Sequence, residues 1–406
     1  MIAKPVRVKR VATERFALGS LTPARIVEPA DADETAAALR AARDAGEALV
    51  AFGGGTLQRA ANPPARYDVA LSTKRLNALY EYDPRDLTIG VGSGMTVAEL
   101  SALLARNGQF LPLDAPHASQ ATIGGTLAAG WAGPRRTAYG RPRDLLIGAV
   151  VALADGTLAK TGGMVVKNVT GYDLGKLYVG SHGTLGVIVR TNFKLLPAPA
   201  VRRLAIAPFD EDLRGRAAMH AGALRIEPAA LLMIDGFHDI AAPGRARIVA
   251  LLEGSEQNVE RATRELRSAF GAAGIAETRL IDGDAATRTF ASVLDAYATV
   301  AGDASVTFVA RGLPAEATSR AQHVRDALGR ADTIADLRTG DVIVRAYDRF
   351  DVVRDVLGTA TVLCGGSSTT VDAWGAPPPT IATMRALKTQ FDPQGVLAPG
   401  RYVGGV

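Results

Sequence analysis

Cysteine is almost absent: Cys364 is the only one in 406 residues. A lone thiol cannot close an intrachain disulfide. Nor can it assemble an iron–sulfur cluster or a Cys-based zinc site by itself, since each needs several thiolates. Cys364 is left as a buried inert thiol or a reactive one. Aromatic residues make up 5% of the chain, too few to interleave with the basic residues as a nucleic-acid surface requires. Of the histidines, His117, His182, His220, His238 and His323, none has a second at i+3 or i+4, so no metal site is expected. No run reaches the roughly 20 apolar residues that span a bilayer. The basic start, Lys4, Arg7, Lys9 and Arg10, is not followed by the apolar core of a signal peptide. The expectation is a cytoplasmic protein, at most peripheral to the inner membrane through partners.

What is present describes a globular chain, with 48% hydrophobic and 21% charged residues. Its net charge of +5, from 46 Lys and Arg against 41 Asp and Glu, is spread along the sequence. The length exceeds the usual single domain, so two or more lobes are expected. Asp31 to Arg43 reads as a helix capped at Asp31 or Asp33, with Ala36, Leu39 and Ala42 on one face, and Ala48 to Phe52 as a strand. Residues 149–161 read as a hairpin turning on Asp155-Gly156, and 185–189 and 192–196 as two strands. Pro197 and Pro199 then mark a boundary. Beyond it, strands (203–207, 230–234, 247–252, 305–310, 341–346) alternate with helices (256–272, 316–328), as in an α+β lobe on a mostly antiparallel sheet.

Glycine, 43 residues in all, concentrates where it points to chemistry. Ala121-Thr122-Ile123-Gly124-Gly125-Thr126 runs on to Gly130 and Gly133, so no bulky Cβ keeps the main chain from a flat or anionic ligand. The alternative is a glycine-rich turn beside a buried alanine-rich helix. Phe52-Gly53-Gly54-Gly55-Thr56-Leu57-Gln58 follows a strand and is either a pyrophosphate cradle or a tight loop. Two look-alikes are set aside: Gly90-Val91-Gly92-Ser93-Gly94 precedes an ordinary packing helix, and Gly171 to Leu177 is a P-loop one residue short that lacks the magnesium-binding hydroxyl.

These stretches, with Thr161-Gly162-Gly163 through Leu177, Gly180-Ser181-His182-Gly183-Thr184-Leu185-Gly186-Val187-Ile188, and the tail Phe391 to Arg401, resemble the vanillyl-alcohol-oxidase-like, PCMH-type FAD-binding flavoproteins. Within that family they are similar to the FAD subunits of bacterial glycolate-oxidase complexes. The resemblance implies an α+β protein: a PCMH-type FAD-binding domain over 18–199, with subdomains 18–75 and 76–199, an α+β cap over 200–370, and a segment 371–406 returning to the FAD domain. It implies that Gly53, Gly54, Gly55, Thr56 and Leu57 hold the FAD pyrophosphate. Thr122, Gly124, Gly125, Thr126, Gly130 and Gly133 would line the ring and ribityl chain, continued by Tyr139 and Gly140. Gly183, Gly186 and Ile188 would hold the adenine end. Relatives with histidine-attached FAD often carry that histidine just after the first glycine loop. Here the place reads Thr56-Leu57-Gln58, so FAD is expected to be non-covalent. His182 stands where many relatives have glutamate; it is either a turn residue or a functional one.

Oxidising a 2-hydroxy acid such as glycolate needs a carboxylate clamp and a proton acceptor. Arg345 and Arg311, at strand positions, are candidate clamps, with a solvated arginine as the alternative for each. His117 is either a general base or a loop histidine. The resemblance further implies a complex with a second flavin subunit and an iron–sulfur subunit. Two rival readings stay open. One is a non-catalytic structural or electron-relay flavin subunit; the other is a stand-alone oxidase of another alcohol or sugar lactone.

Overall fold

A computed structural model describes residues 8–9, 13–164, 173–209, 224–241, 246–302, 304–366 and 371–406. Residues 165–172 of the third glycine stretch and His220 lie outside the described residues. The chain forms two compact units, one of residues 1–131, 141–197 and 372–406, the other of 132–140 and 198–371.

The first unit opens with strands β1 (Val8–Lys9), β2 (Arg25–Val27), β3 (Leu49–Phe52) and β4 (Val69–Ser72), ordered β1-β2-β4-β3. Helix α1 (Ala32–Asp44) crosses from β2 to β3, and β2 and β3 both pair parallel to β4. Of the two cap candidates the structure uses Asp31: its side chain accepts from the Glu34 amide at 2.8 Å, and the Glu34 carboxylate accepts from the Ala30 amide. Its buried face carries Ala36, Leu39 and Ala42.

A second sheet, ordered β5-β6-β10-β8-β9, follows with β5 (Leu79–Asp83), β6 (Thr88–Gly92), β8 (Leu146–Ala152), β9 (Leu158–Gly162) and β10 (Val187–Lys194). The short pair β7 (Gln109–Phe110) and β11 (Leu196–Pro197) lies apart. Hairpin β8–β9 turns at Asp155-Gly156, with Gly156 at φ +80° and the Asp155 carboxylate holding the Thr157 amide. The two strands expected over 185–196 are one strand with a register shift between Ile188 and Arg190. A second shift against β8 falls between Asn192 and Phe193, and the strand runs through both.

Helices α2 (Val97–Ala105) and α3 (Ile123–Ala129) cover this sheet, and Leu100, Leu104, Ile123 and Leu127 join Ile89, Val91 and Phe193 in its core. Val187 and Val189 of β10 instead pack with Leu39, Leu49 and Leu71, so one core cluster fastens the two sheets together. Each such buried aliphatic side chain contributes about 2 kcal/mol.

The second unit is built on one eight-stranded antiparallel sheet in the order β15-β12-β14-β13-β17-β18-β16-β19. Its strands are β12 (Val201–Pro208), β13 (Ala230–Asp235), β14 (Ala246–Gly254), β15 (Arg279–Asp282), β16 (Val306–Ala310), β17 (Ala331–Asp336), β18 (Val342–Ala346) and β19 (Ala360–Gly365). Helices α4 (Glu256–Ala272), α5 (Gly283–Ala296), α6 (Ala317–Leu328) and α7 (Phe350–Leu357) complete it. The mixed helix-and-strand composition and antiparallel sheet are the α+β class expected. Strands β15, β17 and β19 and helices α5 and α7 were not read from the sequence. The edge strand β15 has no alternation, being exposed at both ends.

Residues 132–140 belong to this unit through two buried carboxylates. Arg136 grips Asp341 with both terminal nitrogens at 2.8 Å, and Glu253 accepts from the Tyr139 hydroxyl at 2.9 Å and pairs with Arg202.

The tail then returns to the first unit. Helix α8 (Ile381–Phe391) leads to residues 396–398, which pair with β3: the Leu49 amide donates to Val396 O at 2.7 Å and the Ala398 amide to Leu49 O at 2.9 Å. The Lys388 ammonium donates to Thr184 O, Leu397 O and Asp392.

Candidate functional site

In the first unit a cleft of about 670 Å³, its open mouth included, forms where the turn after β3, the start of α3, and the turn before β10 meet. The turn lies hard against the chain ahead of α3. A Cβ on Gly53 would stand 2.0 Å from Thr122 Oγ1, and one on Gly54 would stand 1.9 Å from Gln120 O. Only glycine lets the two stretches approach so closely. Gly55 has φ +83° with nothing within 4 Å of its Cβ direction, so its main chain faces open space.

Across the cleft, Gly183 has φ +76° and only Ala51 near its Cβ direction, at 3.9 Å. A Cβ on Gly186 would meet Val151 at 2.5 Å. Val187 and Ile188 give an apolar wall, continued by Ala128 and Ala129.

At the end of the cleft stands Arg401, 1% exposed. Its guanidinium donates to Asn62 O at 3.0 Å and to the backbone and side-chain oxygens of Gln58. His182 lines the cleft beside it with φ +51°, its amide bonded to Ala128 O at 2.8 Å. The imidazole meets Trp374 edge-on at 5.0 Å and Tyr402 at 5.9 Å. Burial, then the Arg401 charge, pushes its pKa down to about 3, so the ring is neutral near pH 7.

The cleft therefore gathers Gly53, Gly54, Gly55, Thr56 and Leu57 with Thr122, Gly124 and Gly125, and also Gly183, Gly186 and Ile188. Other expected residues stand elsewhere. Thr126 is buried and bonds Thr122 O through its hydroxyl at 2.9 Å. Gly130 caps α3 at φ +64°, where a Cβ would strike Gly180 Cα at 2.6 Å. Gly133, Tyr139 and Gly140 belong to the second unit.

The amides that open α3 are taken: Ile123 N bonds Met95 O, Gly124 N bonds Ser93 O, and Gly125 N bonds Thr122 Oγ1. The contribution of Gly124 and Gly125 is thus their lack of bulk. His117 has φ +53°, and its carbonyl accepts from the Gln120 and Ala121 amides at 2.8 Å each, the geometry of a turn residue.

The arginines expected as clamps have carboxylates of their own. Arg345 is 1% exposed in β18; it holds Asp239 at 2.9 and 3.1 Å, donates to Ala296 O at 2.8 Å, and stacks over Phe237 at 4.3 Å. Neither an open clamp nor a solvated arginine describes it, because both faces of the sheet are covered there and all five β18 residues are buried. Arg345 stands here in a buried ion pair with Asp239. Arg311 pairs with Asp341, the same carboxylate that Arg136 holds.

Arg401, Gln58 and the Trp374–Tyr402 pair carried no assigned role in the sequence reading. Arg401 ends the tail motif, but nothing local distinguishes it from a surface arginine.

Main chain opened by glycine, a hydroxyl, an apolar wall and one cation suit a ligand that is flat and apolar along one stretch and anionic along another. Residues 23–173 match a family of FAD-binding domains. That match shows an FAD-binding domain in the chain. Its cofactor is FAD.

The flavoprotein is 29% identical over 420 residues to glycolate oxidase subunit GlcD of Bacillus subtilis, covering 93% of this chain and 88% of the relative. It is 43% identical over 122 residues to glycolate oxidase subunit GlcE of Escherichia coli, covering 30% of this chain and 35% of that one. Its fold matches the crystal structure of p-cresol methylhydroxylase with a TM-score of 0.70 at 18% identity, over 94% of this chain and 88% of the other. Among the described residues of the flavoprotein no helix is long and apolar enough to cross a membrane, and no cluster of three or more metal-ligating side chains is found.

Proposed function

We propose that the chain is the FAD-binding subunit of a glycolate-oxidase-type complex that oxidises a 2-hydroxy acid and passes the electrons to an iron–sulfur partner. The observation that carries this reading is the glycine-opened cleft, in a chain that aligns over 93% of its length with a glycolate oxidase subunit. FAD supplies the two-electron acceptor. The protein's own residues bind and orient it. Gly53 to Thr56 take the diphosphate region, and Gly124 and Gly125 give the ring and ribityl chain room beside α3. Gly183, Gly186 and Ile188 take the adenine end. One cysteine cannot ligate an iron–sulfur centre, so in this reading any such centre belongs to a partner.

A second reading, an electron-relay subunit whose flavin does not meet substrate, is favoured by one observation. Both arginines expected to grip a substrate carboxylate are paired with carboxylates of this chain. Rapid anaerobic mixing of the flavin-loaded protein with glycolate or D-lactate separates the two readings. Bleaching of the flavin absorbance within seconds supports direct oxidation. A spectrum that stays oxidised until a second flavin subunit is added supports the relay, and a protein that is colourless and takes up no FAD overturns both.

A further inference from the structure

Three arginines, Arg247, Arg345 and Arg401, head the fully buried side chains of the described residues. Two are among carboxylates. Arg345 pairs with Asp239 at 2.9 Å, and Arg247 lies in the field of Asp235, Asp239 and Asp332. Arg401 differs from both. Its hydrogen-bond partners are the neutral oxygens of Asn62 and Gln58, and the one side chain whose charge acts on it is Tyr67, a phenol that burial keeps protonated. Burial pushes the guanidinium down to about 10. A buried cation without a counter-ion is strongly unfavourable unless an anion joins it.

The position of Arg401 says which anion. Among the described residues lining the cleft it is the only side chain with a permanent charge. The oxygens that hold it, from Gln58 and Asn62, follow directly on the Gly53–Thr56 turn. Those bonds take one Nη1 hydrogen and both on Nη2, which leaves Nε–H and the other Nη1–H as single charge-assisted donors to anionic oxygens. Its own carbonyl is anchored by Trp374 Nε1 at 3.1 Å, so the side chain is presented from a fixed backbone.

We propose that Arg401 is the counter-charge for the diphosphate of the bound dinucleotide, completing an anion site begun by the Gly53–Gly55 turn. The proposal rests on the reading of the cleft as the FAD site. It gives the returning tail a role in holding the cofactor beyond its pairing with β3. A tail that only packs would have been served by a neutral side chain between Gln58 and Asn62.

The test titrates flavin-free protein with FAD, followed by flavin fluorescence, with ADP and riboflavin as competitors. Arg401→Gln is expected to weaken FAD and ADP by at least about tenfold, the effect of removing one charge-assisted bond, and to leave riboflavin unchanged. It should also flatten the salt dependence of FAD binding. Arg401→Lys, which keeps the charge, is expected to retain more affinity than Arg401→Gln. A parallel fall for FAD, ADP and riboflavin would make Arg401 a packing residue and overturn the proposal.

Should Arg401→Gln fail to fold, wild-type apoprotein still decides. Inorganic pyrophosphate should raise its melting temperature where sodium chloride of equal ionic strength does not, and no such rise overturns the proposal. A wild-type protein that responds to pyrophosphate and takes up no flavin refutes the cofactor reading while leaving the anion site in place.

Discussion

Thr122 Oγ1 lies 2.0 Å from where a Cβ of Gly53 would stand, so the first glycine turn and the cap of α3 are fitted to each other across a long stretch of sequence. Gly53→Ala should cost about 1–3 kcal/mol, the usual penalty of overpacking, and weaken FAD binding. Adding Thr122→Ala removes the atom struck and should recover part of that loss, although the lost cap itself costs about 1 kcal/mol. Gly54→Ala meets the backbone oxygen of Gln120 at 1.9 Å, so no side-chain change should rescue it. Melting temperatures and FAD affinities of the double-mutant cycle check both statements; strictly additive effects for Gly53 and Thr122 would show that the two do not touch.

Lys388 should be a keystone of the tail. Its ammonium is satisfied by two carbonyls and by Asp392, whose side chain is 0% exposed and also accepts the Val396 amide at 2.9 Å and the Leu397 amide at 2.7 Å. Lys388→Met leaves that carboxylate uncompensated and should destabilise the protein by about 3–5 kcal/mol. Asp392→Asn on the Lys388→Met background should restore part of it. Thermal unfolding of the wild type and the two variants gives the answer.

Two buried groups should give stability opposite pH slopes. Burial raises Asp336 to about 6 against the pull of its bonds from Thr339 and Arg338, so the folded state holds a proton the unfolded chain has lost. Its contribution is present below about pH 4 and declines as pH rises to about 6. His182 is depressed to about 3 by burial and then by Arg401, so here the unfolded chain binds the extra proton. Its contribution is present above about pH 6.5 and declines as pH falls. Each slope is at most about 1.4 kcal/mol per pH unit. Asp336→Asn should remove the first and His182→Gln the second in urea titrations between pH 4 and 7.

Arg345→Ala should act on stability. The change leaves Asp239 and the Ala296 carbonyl without their partner, at a cost of about 3–5 kcal/mol. Protein that remains folded should keep its KM for a 2-hydroxy acid. An unchanged melting temperature with a raised KM would return Arg345 to the substrate site.

How far the chain could be read without coordinates differs from element to element. Helix α1 and hairpin β8–β9 are local: Asp31 caps one and Asp155-Gly156 turns the other, and both stand where those residues place them. The two strands expected over 185–196 are one because residues 190–192 pair on both sides, with β6 and with β8, and that pairing is set by segments distant in the chain. Arg345 is a related case. Alternation assigns a side chain to a face of a sheet and says nothing of what covers that face.

The sequence by itself pointed to main chain opened by glycine for a flat or anionic ligand, because backbone can close on a ligand or on other backbone only where no Cβ intervenes, and the resemblance those stretches carry named the cofactor as FAD. Only the tertiary structure decided which charges do what. Arg136, Arg345 and Arg401 are the same residue type, and the first two are neutralised by carboxylates that other segments bring to them. Arg401 is buried without one among the described residues, and a buried charge takes its meaning from the partners that folding delivers.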